Sequence, residues 1–268
     1  MRSVAGIGVD DVKAAYGGAP ADLYTLLLGQ LLHIGGMEAS LDLAKRAGIQ
    51  AGQSGIDLCC GTGAGMRLLV RSLGVSSMTG VDFVPRNIER ARQRGLEEQL
   101  GDRVQLVLAD ACASGLPSAN ADFIWSEDAW CYVADKEWLI AEAARLVRPG
   151  GTIAFTDWVE GPAPLEDEEA DRFLRMMNFA NVQDRIGYER LLSDNRCEVV
   201  TAEDTGRFAP YFDMFVDMIE MQFGYDVLAT IGFRAELLPV VTDNFRFLRD
   251  LSRAGKIMQG RFIARRLT

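Results

Sequence analysis

The stretch Gly55-Ile56-Asp57-Leu58-Cys59-Cys60-Gly61-Thr62-Gly63-Ala64-Gly65 constrains this chain more than any other. The apolar run from Ile56 to Cys60 has the length and bulk of a strand buried on both faces. It breaks into glycines at alternate positions, and Met66-Arg67-Leu68-Leu69-Val70-Arg71-Ser72-Leu73 resumes with helical spacing. Strand, glycine turn and helix form the opening of a nucleotide-binding βαβ unit. A side chain in such a turn would hold the backbone away from a ligand, and the new helix leaves unpaired N–H groups facing it. A dinucleotide fingerprint needs glycine or alanine where Met66 stands, which disfavours an NAD oxidoreductase, and the Gly-Lys-Ser/Thr of a P-loop is absent. What remains is a glycine loop preceded by an acid, Asp57.

The rest of the chain repeats the alternation. Residues 10–50 read as amphipathic helices, with a turn at Gly17-Gly18-Ala19-Pro20 and a break at His33-Ile34-Gly35-Gly36 before a helix from Met37 to Ala47 that stops at Gly48. A lone histidine followed by two glycines suits a loop that brings backbone close to a ligand. Met78–Asp82, Val104–Asp110, Ala121–Trp125 and Thr152–Trp158 read as further strands, separated by helices at Pro85–Gly95 and Lys136–Val147. Asp57, Asp82, Asp110, Asp128 and Asp157 fall at or near the strand ends, where a doubly wound sheet places its ligands. Asp82 lies 25 residues beyond Asp57, close to the spacing at which a carboxylate reaches a ribose. Leu165–Asp171 is an acidic helix start, followed by a Phe- and Met-rich helix and a short one at Tyr188–Leu192. A sixth strand is expected at Glu198–Thr205, helices at Pro210–Tyr225 and Phe233–Arg253, and a seventh strand at Lys256–Arg265. The expected fold is therefore α/β, a doubly wound, seven-stranded, mostly parallel sheet. Residues 1–50 form an N-terminal helical cap. Residues 51–268 form the ligand-binding domain, with a lid insertion at about 160–197 and helices at about 208–254.

Composition narrows the function. A net charge of −10 repels polyanions, and the only basic cluster is the terminal Arg261–Arg266 stretch, so nucleic acid is not the expected partner. The five cysteines form no C-x-x-C and His33 is the sole histidine, which argues against a disulfide framework or a zinc site. No apolar run reaches membrane-spanning length, and no signal-peptide core opens the chain, so a cytoplasmic protein is expected.

Asp57-Leu58-Cys59-Cys60-Gly61-Thr62-Gly63 resembles the first motif of class I S-adenosylmethionine (SAM) methyltransferases, Asp-Leu-Gly-Cys-Gly-Thr-Gly, with Cys59 where the first glycine is usual. With the acids of the next two strands and Arg148-Pro149-Gly150-Gly151, the resemblance covers roughly residues 50–160. Ser126-Glu127-Asp128-Ala129 is similar to the Ser-x-Asp-Ala segment of the sarcosine/dimethylglycine N-methyltransferases and phosphoethanolamine methyltransferases. Tyr24 with His33-Ile34-Gly35, and Ala254-Gly255-Lys256, resemble further stretches of that group. Leu28, Gln30 and Tyr132 depart from it, standing where the group has tryptophan, glutamate and histidine.

The resemblance implies SAM as cofactor and S-adenosylhomocysteine as product. Asp57, Gly61, Thr62 and Gly63 would hold the methionine moiety, and Asp82, flanked by Phe83 and Asn87, the ribose. Asp110 and Ala111 would meet the adenine, and Ser126 and Tyr24 would close the pocket. Asp128, Tyr132 and His33 are the candidate proton acceptors. Tyr16, Trp130, Trp158, Tyr188 and Lys256 are the candidate substrate contacts, the aromatics because a product ammonium is tolerated on ring faces. The implied activity is N-methylation of a small amine or amino acid, with no metal and with a homo-oligomer left open. The alternatives are C- or O-methylation of a larger natural product or prenyl-type substrate, and a catalytically idle module serving a partner. The Met/Phe lid favours the first alternative, and Cys59 is the only support for the second.

Overall fold

The computed structural model describes residues 1–17 and 19–268, and all side chains in them except those of residues 15, 17, 19–21 and 24. The Gly18 junction and the Tyr24 side chain thus lie outside the described residues. In chain order the elements are β1 (Arg2–Ser3), α1 (Val9–Gly17), α2 (Ala19–Leu28), α3 (Gly36–Ala47), β2 (Ser54–Leu58), α4 (Ala64–Ser72), β3 (Ser77–Asp82) and α5 (Pro85–Glu97). Next come β4 (Val104–Leu108), β5 (Ala121–Glu127), α6 (Lys136–Leu146), β6 (Val147–Glu160), α7 (Asp167–Met177), β7 (Asn181–Asp184) and α8 (Arg185–Asp194). The chain closes with β8 (Cys197–Asp204), α9 (Phe208–Asp217), α10 (Gly224–Thr230), α11 (Leu238–Arg253) and β9 (Ile257–Arg266).

Seven strands make the expected sheet, in the order β4-β3-β2-β5-β6-β9-β8, and β9 alone runs against its neighbours. Two short strands were not anticipated. β7 pairs parallel with Val159 and Glu160 of β6, beyond the point where β5 ends, and β1 pairs antiparallel with β7. Four and two residues are too few for a periodicity to show.

Chain order reverses between β2 and β5, so the loops leaving these two strands diverge and open a crevice at their carboxyl ends. The local chemistry fits the elements. α3 buries Ala39, Ser40, Leu43, Ala44 and Ala47 as one stripe and ends at Gly48 in left-handed backbone. The acidic run before α7 is a capping box between Glu166 and Glu169. The helix expected at Pro210–Tyr225 divides into α9, a π-helical turn at Met218–Gln222 and α10. That expected from Phe233 begins at Leu238, after a short 3₁₀ turn.

The segment expected as a lid packs with α9 and α11 around a second core. Leu165, Phe173, Leu174, Phe179, Phe208, Phe212, Phe215 and Leu251 are buried together with Trp158 and Ile34. These phenylalanines are thus packing between α7, α9 and α11, whereas Met214 and Met221 are exposed. Among the described residues, no helix is long and apolar enough to cross a membrane.

Candidate active site

β2 carries Asp57 to the mouth of the crevice, buried beside Asp82 and Glu127. The next residue but one, Cys59, has φ 69°, the left-handed region, and its N–H and that of Cys60 both donate to the Val81 carbonyl (2.8 and 3.0 Å). The position therefore requires the conformation that glycine adopts freely. Cysteine holds it at about 1 kcal/mol of strain. Gly61 N–H donates to Asp82 Oδ2 (2.8 Å), joining the loop to the end of β3. Thr62 is clamped from outside: its carbonyl accepts from Arg67 Nη1 (2.6 Å) and its hydroxyl from Arg94 Nη1 (2.9 Å). Gly63 does not line the crevice. A Cβ there would meet Met66 Cε at 3.0 Å and Ala91 at 3.3 Å, so it allows α4 to pack on α5, with Met66 filling the space beneath Gly80. Gly65 is the glycine that faces the acids, its missing Cβ lying 3.2 Å from Glu127 Oε2.

At the end of β3, Asp82 Oδ1 accepts from Val84 N–H (2.9 Å) and Asn87 Nδ2 (3.4 Å). Burial pushes its carboxyl up to about 6, against these hydrogen bonds. Phe83 and Asn87 line the same wall. Asp110 and Ala111 line an adjoining cavity that shares Val12, Phe83 and Tyr132 with the crevice and continues under α1.

The third wall comes from β5 and the segment before α3. Ser126 is fully buried and does not line the crevice; Glu127, Asp128 and Ala129 do. Glu127 Oε2 accepts from Ser40 Oγ (3.0 Å) and Trp125 Nε1 (3.2 Å), and Oε1 lies 3.4 Å from His33 Nε2. Asp128 has φ 50°, and its Oδ2 accepts from Ile34 N–H (2.9 Å) and Gln259 Nε2 (2.7 Å). Burial raises the carboxyls of Asp57, Glu127 and Asp128, with His33 opposing the rise in the last two. Glu127 Oε1 and Asp128 Oδ1 are buried without a hydrogen-bond partner.

The crevice gathers Asp57, Gly61, Thr62, Asp82, Phe83, Asn87, His33, Asp128, Tyr132 and Tyr16 of the residues expected from sequence. A smaller cavity adjoins it. The two share Tyr16, Leu32, His33, Asp128 and Tyr132, and the inner one is completed by Leu28, Ile34, Trp158 and Met177. Tyr132 is wedged edge-on between Tyr16 (5.1 Å between centroids) and Phe179 (4.8 Å).

Three expected substrate contacts lie elsewhere. Trp130 is wholly buried, donates to the Leu58 carbonyl (3.3 Å) and packs on Phe155. Tyr188 is wholly buried and donates to Asp157 Oδ2 (2.6 Å), so Asp157 also serves the core. Lys256 pairs with Glu169 (2.5 Å) and ties the segment before β9 to α7. Among aromatics, the sequence does not separate buried packing from a cavity wall. Glu127, Ser40 and Gln259 were missed. Glu127 stood inside the quoted Ser-x-Asp-Ala segment, whereas nothing local in sequence marks Gln259, more than a hundred residues from its partner.

A cation fits this crevice. Four carboxylates line it, and among the described residues lining it there is no lysine or arginine.

Residues 56–155 match the methyltransferase domain family. The chain is 29% identical to 27-O-demethylrifamycin SV methyltransferase of Amycolatopsis mediterranei over 70% of its length and 74% of the relative's. It is 24% identical to phosphoethanolamine N-methyltransferase 1 of Arabidopsis thaliana over 74% of its length and 40% of the relative's, so it spans less than half of that protein. The fold is similar to Haemonchus contortus phosphoethanolamine N-methyltransferase 2 (TM-score 0.83, 18% identity, 97% of this chain and 58% of that one), whose structure contains phosphomonomethylethanolamine and S-adenosylhomocysteine.

Proposed function

We propose that this chain, a class I SAM-dependent methyltransferase, N-methylates a small amine bound in the inner cavity. The observation that carries the reading is the collar of His33, Asp128 and Tyr132 shared by the acidic crevice and the compact apolar cavity. SAM supplies a methyl group on a sulfonium, already activated, so the protein's part is alignment and exclusion of water. Asp57, Gly61 and Thr62 would hold the methionine end, Asp82 the ribose hydroxyls, and Asp110 and Ala111 the adenine. Tyr16 and Val12 of α1 line the crevice as well.

The nucleophilic nitrogen must be neutral when it attacks. Asp128, which lines both cavities, would accept the proton that the nitrogen gives up. His33 and Tyr132 orient the amine in the same wall. Trp158, with Leu28, Leu32 and Met177, provides the apolar surface for the rest of the substrate. Among the described residues lining the inner cavity there is no arginine or lysine, which disfavours a phosphobase.

A second reading keeps SAM and methylates oxygen or carbon of a natural product. The rifamycin relative, matched over most of its length, favours it. The lid phenylalanines do not, because they are buried against one another. The idle-module reading loses its support, since Cys59 adopts the backbone that the usual glycine would.

The test is calorimetry with SAM and S-adenosylhomocysteine, followed by mass spectrometry of turnover with secondary amines, phenols and phosphobases. Amine methylation supports the first reading, and phenol methylation alone moves the second to its place. No SAM binding rejects both.

A further inference from the structure

Gln259 lies on β9, the reversed strand, and is fully buried. Its Nε2 donates to Asp128 Oδ2 (2.7 Å) and to the Ile34 carbonyl (3.0 Å), and its Oε1 accepts from Thr205 Oγ1 (2.7 Å). Ile34 N–H donates to the same Asp128 Oδ2 (2.9 Å), so Gln259, Ile34 and Asp128 form a closed ring. Thr205 Oγ1 also accepts from Arg207 N–H (3.3 Å), immediately before α9. The partners fix the amide's orientation: turned round, its oxygen would face a carboxylate and a carbonyl at once.

We infer that Gln259 is a positioning residue, which ties one oxygen of Asp128 so that the other is presented to the substrate's nucleophile. The inference rests on the proposed role of Asp128. At φ 50°, Asp128 stands outside any regular helix or strand geometry, and its side chain is located by this ring. Gln259 also holds Ile34, the neighbour of His33, so one side chain sets two members of the collar. Through Thr205 the same amide is joined to the start of the lid.

The groups facing Asp128 are His33 from the segment before α3, Glu127 beside it on β5, Cys131 beyond it, and Thr156 and Asp157 from β6. Of these only His33 can carry a positive charge. An N–H lost at Gln259 therefore has no cationic replacement, and the proton on Asp128 is held more tightly without it.

Gln259→Leu is expected to bind SAM within about threefold of the parent while kcat falls about 10²-fold, the size of a general-base contribution. The acid limb of its kcat–pH profile moves up by about one pH unit, as a carboxylate losing a donor should. Gln259→Glu, which keeps the volume and faces Asp128 with a second carboxyl, shifts the limb further in the same direction. It carries the test if the leucine variant does not fold. The Asp128 carboxyl, followed by ¹³C NMR in aspartate-labelled protein, shows the same upward shift without turnover. An unmoved titration in the folded variants overturns the inference, as does a parallel fall in SAM affinity and kcat with an unchanged profile. The NMR titration is informative whether or not SAM binds, so the functional reading and this one fail separately.

Discussion

Gly65 and Gly63 stand two residues apart and serve different ends. Gly65 has ordinary helical backbone, so alanine there improves helix propensity, yet its Cβ would press on Glu127 and crowd Asp57. Gly65→Ala should leave stability within about 1 kcal/mol and weaken SAM binding about tenfold or more. Gly63 has φ 73° and no room beside Met66, so Gly63→Ala should lower stability by about 1–3 kcal/mol. Chemical denaturation and calorimetry on the two variants separate these effects, and similar losses in both would remove the distinction. Asp82 offers a pH test. Its carboxyl is raised to about 6 by burial, and its ionised form is the better acceptor for ribose hydroxyls. SAM affinity should therefore rise with pH to just above 6 and then level, being about tenfold weaker at about pH 5. A flat profile through that window would exclude Asp82 as the ribose acceptor. Tyr132→Phe should reduce turnover more than SAM binding, and equal losses would remove it from the substrate side.

At the scale of elements, strands and helices of the sheet were legible because each carries its own punctuation. Asp57 and the glycines close β2, Pro85 opens α5, Gly48 stops α3, and Glu166 with Glu169 starts α7. The lid was legible only as composition: its phenylalanines announce burial without saying against what. Trp130 and Tyr188 failed as substrate contacts for that reason, since a core and a cavity wall ask for the same residue types. Lys256 is a different case: its motif match is a matter of local sequence, while its partner Glu169 is far away in the chain. Lys256→Ala should lower stability by about 1 kcal/mol or less, as partly exposed ion pairs do, with KM unchanged. A raised KM with unchanged stability would return Lys256 to the substrate side.

For the molecule as a whole, the reversal of chain order between β2 and β5 decides where acids from distant segments converge, and the sequence alone could name them only as strand ends. Sheet order brings Asp57, Asp82, Glu127 and Asp128 around one volume, while Asp110 opens on the next and Asp157 is turned into the core. The four that converge hold protons more tightly than free carboxyls do. A sulfonium and an ammonium placed among them must drive some of those protons out, so association with SAM is also an acid-releasing reaction. S-adenosylhomocysteine has lost the sulfonium charge and should release fewer. Binding heats in buffers of different ionisation enthalpy count the difference near pH 6, where Asp82 is half-titrated. Methyl transfer moves the positive charge from sulfur to the product nitrogen, so the crevice regains its protons only as that product departs, and each turnover carries protons out with the incoming cation and back with the outgoing one.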